Sequence, residues 1–139
     1  MYNTLKHAQH EEDLQRLDSL LSELRVLSQA HPEDAGVREP LAMGLFNLLH
    51  DAQEEQDLPR RDNLLGELRE LSRAHPEDAV VRERLAKGLC GVGFWPKAMG
   101  KGEACETLLA ELRDLLDQHA GDNRLEAVRK FMNELTRPG

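Results

Sequence analysis

No stretch of this chain approaches the run of about eighteen apolar residues that crosses a bilayer, which excludes a transmembrane helix. Cysteine is almost absent. Cys90 and Cys105 have neither CxxC spacing nor a neighbouring histidine, so no zinc site is expected, and a disulfide requires the helices that carry them to lie side by side. Positive charge is short as well: 18 Lys and Arg stand against 26 Asp and Glu, a net charge of -8 that repels phosphate backbones and argues against nucleic acid as a partner. The opening MYNTLKHAQHEEDLQRL lacks the basic and apolar regions of a secretion signal, which leads to a cytoplasmic reading with reduced thiols. No GxxxxGK[ST], GxSxG or HExxH occurs, so no reaction is read and no enzyme or cofactor is expected. Asp51, Glu54, Glu55 and Asp57 form the densest acidic stretch, without the spacing or central glycine of a calcium loop; they read as a solvated turn.

What the sequence does contain is repetition. Residues 18 to 45, DSLLSELRVLSQAHPEDAGVREPLAMGL, align with 62 to 89, DNLLGELRELSRAHPEDAVVRERLAKGL, at 21 of 28 positions. The same offset of 44 carries Tyr2, Leu5, Ala8, Gln9, Glu11, Asp13, Leu14 and Arg16 onto Phe46, Leu49, Ala52, Gln53, Glu55, Asp57, Leu58 and Arg60, and carries residues 62–75 onto 106–119. A repeat of this length implies an all-α solenoid of stacked helical pairs, because one pair alone cannot bury its apolar face. One domain is expected over 1–139, with units at about 1–32, 33–76 and 77–119 and a capping helix at 122–136.

Apolar residues recur at gaps of three and four, as in Leu64, Leu65, Leu68 and Leu71, and nothing alternates with period two. The pattern predicts a stub at 2–10 and helices near 12–30, 33–51, 57–74, 77–93, 103–119 and 122–136. AHPED punctuates both central units. Proline disfavours helix at His31 and His75, and the Glu-Asp pair that follows is expected in the first turn of the next helix. Pro40 is expected to kink the second helix or delay its start. Ala42, Gly44, Ala86 and Gly88, small residues on helices of large ones, predict close backbone approach. His31, His75 and His119 share one repeat position and read as parts of a helix end.

The order Leu41, Ala42, Leu45, then Leu64, Leu68, Leu71 and Pro76 resembles a tetratricopeptide-like repeat, as does the equivalent set Leu85, Ala86, Leu89, Leu108, Leu112 and Leu115. Two departures stand out: the unit exceeds the family's 34 residues by about ten, and Arg38 and Arg82 stand where the family favours a bulky aromatic. The resemblance implies a short right-handed α-solenoid of antiparallel helical hairpins whose first helices line a concave groove. That face would carry Tyr2, Asn3, Met43, Phe46, Asn47, Glu83, Lys87 and Cys90, and would hold a peptide or protein.

One segment breaks the template. GVGFWPKAMGKGEA, from Gly91 to Ala104, replaces the acidic NLLHDAQEEQDLPR of the preceding unit and brings the only Trp. Phe94, Trp95, Lys97 and Lys101 combine aromatic and cationic character as binding hot spots do, while burial of Phe94 and Trp95 against the end of the core is the competing reading. An interaction module is therefore the first expectation, and a small-ligand sensor using 91–102 the second. The helix carrying Leu14, Leu17, Leu21 and Leu24 lacks a full partner, which predicts a homodimer through the N-terminal helices or membership of a longer array.

Overall fold

The structure, a computed structural model, describes residues 2–94 and 105–136, with side chains from Glu12 to Glu134 apart from Leu14. Its helices are α1 (Tyr2–Ala30), α2 (Ala35–Glu54), α3 (Leu58–Ala74), α4 (Ala79–Gly93), α5 (Glu106–Gln118) and α6 (Glu126–Thr136), the last entered through a 3-10 turn at Asn123–Leu125. No strand occurs among the described residues, so the chain is all-α as its apolar spacing predicts. α2 packs against α1, α3 and α4, and α4 against α3, α5 and α6. No helix among the described residues is long and apolar enough to cross a membrane.

Each turn between units is built the same way. The amide of Asp34 donates to the carbonyl of His31 at 3.1 Å, Asp78 to His75 at 3.0 Å and Asp122 to His119 at 3.0 Å. The aspartate side chain then caps the next helix, accepting from Gly36 N at 2.9 Å, from Val80 N and Val81 N at 3.0 and 3.2 Å, and from Arg124 N at 3.0 Å. The Glu-Asp pair is therefore not in the first helical turn. The aspartate is the N-cap and the glutamate lies in the turn before it, because the carboxylate satisfies amides that a helix leaves bare. Pro40 does not delay α2: that helix starts at Ala35, and α4, which has Arg84 in the proline's place, starts at the equivalent Ala79.

The leucine stripes converge. Leu21, Leu45, Leu48, Leu68, Leu89, Leu109 and Leu112 are fully enclosed, each worth about 1.5–3 kcal/mol in burial. The small residues act as sockets. A Cβ on Gly44 would stand 2.5 Å from Leu21 Cδ2, and one on Gly88 would stand 3.3 and 3.4 Å from Leu49 Cδ2 and Leu65 Cδ1. Leu21 and Leu65 are repeat equivalents, so one knob and one glycine set the α1–α2 and α3–α4 crossings alike. Gly66 differs: it lies inside α3 with nothing within 4 Å of a Cβ. Gly66→Ala is expected to stabilise the protein by about 0.5–1 kcal/mol in urea melts, through helix propensity alone.

Charged residues bind the units together at the same 44-residue interval. Arg38 Nε donates to Asp78 Oδ2 at 2.7 Å and Arg38 NH1 to the Pro32 carbonyl at 3.1 Å. Arg82 repeats both contacts, to Asp122 Oδ2 at 2.8 and 3.1 Å and to the Pro76 carbonyl at 2.8 Å. A second rung joins Arg25 to Glu67 at 2.9 and 3.0 Å and Arg69 to Glu111 at 2.6 and 2.9 Å, both bidentate. Arg38 and Arg82 thus tie the turn before their own helix to the cap of the helix one interval on.

α1 departs from expectation. Residues 2–10 do not form a separate stub but run on into the following residues as one helix of 29. The equivalent break between α2 and α3 depends on Gln56, whose φ of 61° is left-handed, and on Pro59 in the first turn of α3. Glu12 and Gln15 occupy those positions in α1, and glutamine supplies the amide donor that proline lacks.

Candidate interaction face

Position 43 and its equivalents fall on α2, α4 and α6. Met43 on α2, Lys87 on α4 and Phe131 on α6 follow one another at intervals of 44 residues, and Met43 and Phe131, the first and third of them, are 43% and 48% exposed, large apolar side chains facing solvent on either side of the lysine. Phe46, one turn beyond Met43, is half-buried, and the Arg84 guanidinium carbon sits 5.4 Å from its ring centroid, a cation–π contact. Asn47 beside it is exposed. Lys87 Nζ lies 3.6 Å from Glu83 Oε1, and Arg124 NH1 lies 3.9 Å from Glu83 Oε2, so a largely covered glutamate anchors two cations. The surface has an apolar residue at each end and a charged centre.

These residues fall here because α2 and α4 bury their opposite sides. Leu41, Leu45, Leu48 and Leu49 take the inner face of α2, and Leu85 and Leu89 that of α4. Met43, Phe46, Asn47, Glu83 and Lys87 are the sequence-predicted residues of this face that lie on the neighbouring helices α2 and α4. Cys90, also expected on this face, is buried, and burial pushes its thiol up to about 11, which removes it as a nucleophile at neutral pH. Both cysteines are free and no disulfide joins them. The side chains of Tyr2 and Asn3 lie outside the described residues.

Phe94 is enclosed at 5% exposure and meets Phe131 edge-to-face, ring centroids 6.3 Å apart at 88°. It therefore sits under the surface whose outer residue is Phe131. Trp95, Lys97 and Lys101 lie outside the described residues. Phe131 and Arg84 were missed as candidates: Phe131 reads as one residue of a capping stripe, and its alignment with Met43 and Lys87 emerges only when the 44-residue offset is carried through α6.

A second kind of surface recurs on the other helices. One furrow runs between α1 and α3, floored by Leu41 and Leu45 and bridged by Arg25 and Glu67; the other runs between α3 and α5, floored by Leu85 and Leu89 and bridged by Arg69 and Glu111. They are repeat equivalents, and the ion pair spanning each is a consequence of unit packing. The histidines stand apart: His31 is exposed, His75 is buried and His119 half-buried. Burial, then the charge of Arg82, holds the His119 imidazole below its ordinary range despite Asp122. Among the described residues no group of three His, Cys, Asp or Glu is placed to hold a metal ion. In the acidic stretch Asp51 is buried, Glu54 pairs with His50 at 3.1 Å, and Asp57 caps α3 through Arg60 N at 3.4 Å.

Comparison with known protein families, with curated proteins and with solved structures found no match. The class that the described residues define is an all-α protein of packed neighbouring helices.

Proposed function

We propose that this chain is a non-enzymatic interaction module, a short right-handed solenoid of tetratricopeptide-like antiparallel hairpins, that holds a peptide or protein partner across the face of α2, α4 and α6. The observation that carries this reading is the alignment of Met43, Lys87 and Phe131 at one repeat position, with Phe46 one turn beyond Met43 beneath the Arg84 guanidinium. Met43 and Phe131 are exposed apolar groups that flank the paired charges of Lys87, Glu83 and Arg124, a pattern that suits an amphipathic segment. The charged centre sets orientation: a partner acid meets Lys87 and Arg124, whose own acceptor Glu83 is largely covered.

The test is selection of binding peptides from a displayed random library on the purified protein, followed by titration against variants. Met43→Ala with Phe131→Ala, and separately Phe46→Ala, should each weaken the selected peptides about tenfold or more, which is about 1.4 kcal/mol. Because Met43 and Phe131 are about half exposed, their double variant should keep the fold and lose little more stability than the Phe94–Phe131 ring contact supplies. Peptides whose binding ignores these variants and responds to Arg25→Ala or Arg69→Ala would place recognition in the furrows and end this reading.

A further inference from the structure

We infer that two copies of this chain exchange the N-terminal third of α1, residues 2–10 of each lying on the outer face of the other's α1, a swapped dimer distinct from the partner face proposed above. The chain contains its own template for the contact. Residues 46–54 end α2, and a three-residue turn returns the chain as α3, so that Leu64 is 5% exposed and Leu68 fully buried. Residues 2–10 are the sequence equivalents of 46–54, and Leu20, Leu24 and Leu27 are the equivalents of Leu64, Leu68 and Leu71. In α1 the turn is gone and the helix is continuous, so positions 2–10 cannot fold back on their own chain. Leu20 is left 50% exposed and Leu27 44% exposed. A surface that the fold covers once by a hairpin stands open, and the segment that covers it is carried away from it along the same helix.

The occupant follows from this geometry. Replacing a hairpin turn by continuous helix is the ordinary route to domain swapping, since the contacts of the closed form are re-made between chains. The register follows as well. Leu49 and Leu65 both meet the Cβ position of Gly88, and Leu41 and Leu45, early in α2, line one furrow with Leu71 and Ala74, late in α3. Shifted by 44 residues, this sets position 5 of one copy across from positions 20 and 21 of the other, with the two α1 helices antiparallel and crossing near Glu12 and Asp13. The crossing gathers Glu11, Glu12, Asp13 and Arg16 of both copies, with Arg16 already 3.9 Å from Glu12 of its own chain. The net negative charge is a repulsion that salt screens, so the dimer should tighten as ionic strength rises.

The experiment uses the full chain. Light scattering should give twice the 15.7 kDa mass of one chain, with the dimer strengthened by salt. In a background of Cys90→Ala and Cys105→Ser, a chain with Leu5→Cys and a differently tagged chain with Leu20→Cys, refolded together, should be joined by a short bismaleimide. That product forms only between chains. Leu20→Glu should shift the mass to one chain while keeping the helical circular dichroism spectrum, since Leu20 is already half-exposed within its own chain. A single-chain mass for the parent, a dimer without the 5-to-20 product, a dimer loosened by salt, or a Leu20→Glu variant still dimeric would each overturn the exchange.

Discussion

Arg38→Ala should cost about 3–5 kcal/mol in denaturant unfolding, a large share of the roughly 5–15 kcal/mol that holds a domain of this kind. The Arg38 and Asp78 side chains are 8% and 3% exposed, so truncating the arginine leaves a carboxylate out of water with no cation to meet it. It also strips the Pro32 carbonyl of its guanidinium donor. Asp78 has a second duty as the N-cap of α4, which separates two effects. Arg38→Met combined with Asp78→Asn removes both charges and keeps a capping oxygen, and should recover most of the loss. Arg25→Ala is the control: its pair with Glu67 is 33% and 40% exposed, where solvent screening leaves under about 1 kcal/mol. A loss for Arg25→Ala equal to that for Arg38→Ala would show that burial is not what makes the inner rung matter.

The same pair sets a pH dependence. Burial raises the Asp78 carboxyl, but the hydrogen bond and charge of Arg38, with the amides of Val81 and Val80, outweigh it and hold the group below its ordinary range; Arg82 does the same for Asp122 against burial. A carboxyl depressed in the folded state contributes stability that is complete above its unfolded pKa and lost as pH falls through the folded one. The difference between parent and Arg38→Ala should therefore shrink below the ordinary carboxylate range and stay constant above it.

Much of this was legible in the sequence for one reason: repetition supplies an internal alignment. Helix type, the core leucines and the sockets at Gly44 and Gly88 follow from apolar spacing and residue size. The turn chemistry was only half visible. AHPED draws attention to proline, yet the third turn reads QHAGD and keeps the same backbone bond from Asp122 to His119 without any proline, so the histidine carbonyl and the aspartate are the common parts. The roles of Arg38 and Arg82 were hidden because their partners lie 40 residues away in sequence, beyond any local pattern. The continuity of α1 turned on two substitutions, Glu12 for Gln56 and Gln15 for Pro59, inside an otherwise convincing match. In the divergent segment Gly93 now has a packing reason, since a Cβ there would stand 2.8 Å from Leu109 Cδ2. Nothing in the described surroundings requires glycine at 91.

Phe94→Ala should destabilise by about 3–5 kcal/mol, the range for removing a buried aromatic and leaving a cavity. The ring is 5% exposed at the end of α4, and its edge-to-face contact with Phe131 ties that end to α6. Phe131 is 48% exposed, so Phe131→Ala forfeits the ring contact, about 0.5–1.5 kcal/mol, with only part of the burial. The two substitutions therefore separate support from recognition. Phe94→Ala removes the floor beneath the Phe131 end of the face and should lower the melting temperature far more than Phe131→Ala. Phe94→Leu should restore most of the stability, because it refills the volume without the aromatic edge. Peptide affinity should follow Phe131 at constant fold, falling with Phe131→Ala and staying near the parent's in Phe94→Leu, which keeps Phe131 and most of the floor beneath it. If Phe94→Ala instead melts like the parent and abolishes binding, the ring belongs to the recognition surface rather than to the core. The GVGFW motif would then be the functional centre, and α2 would be the scaffold that positions it.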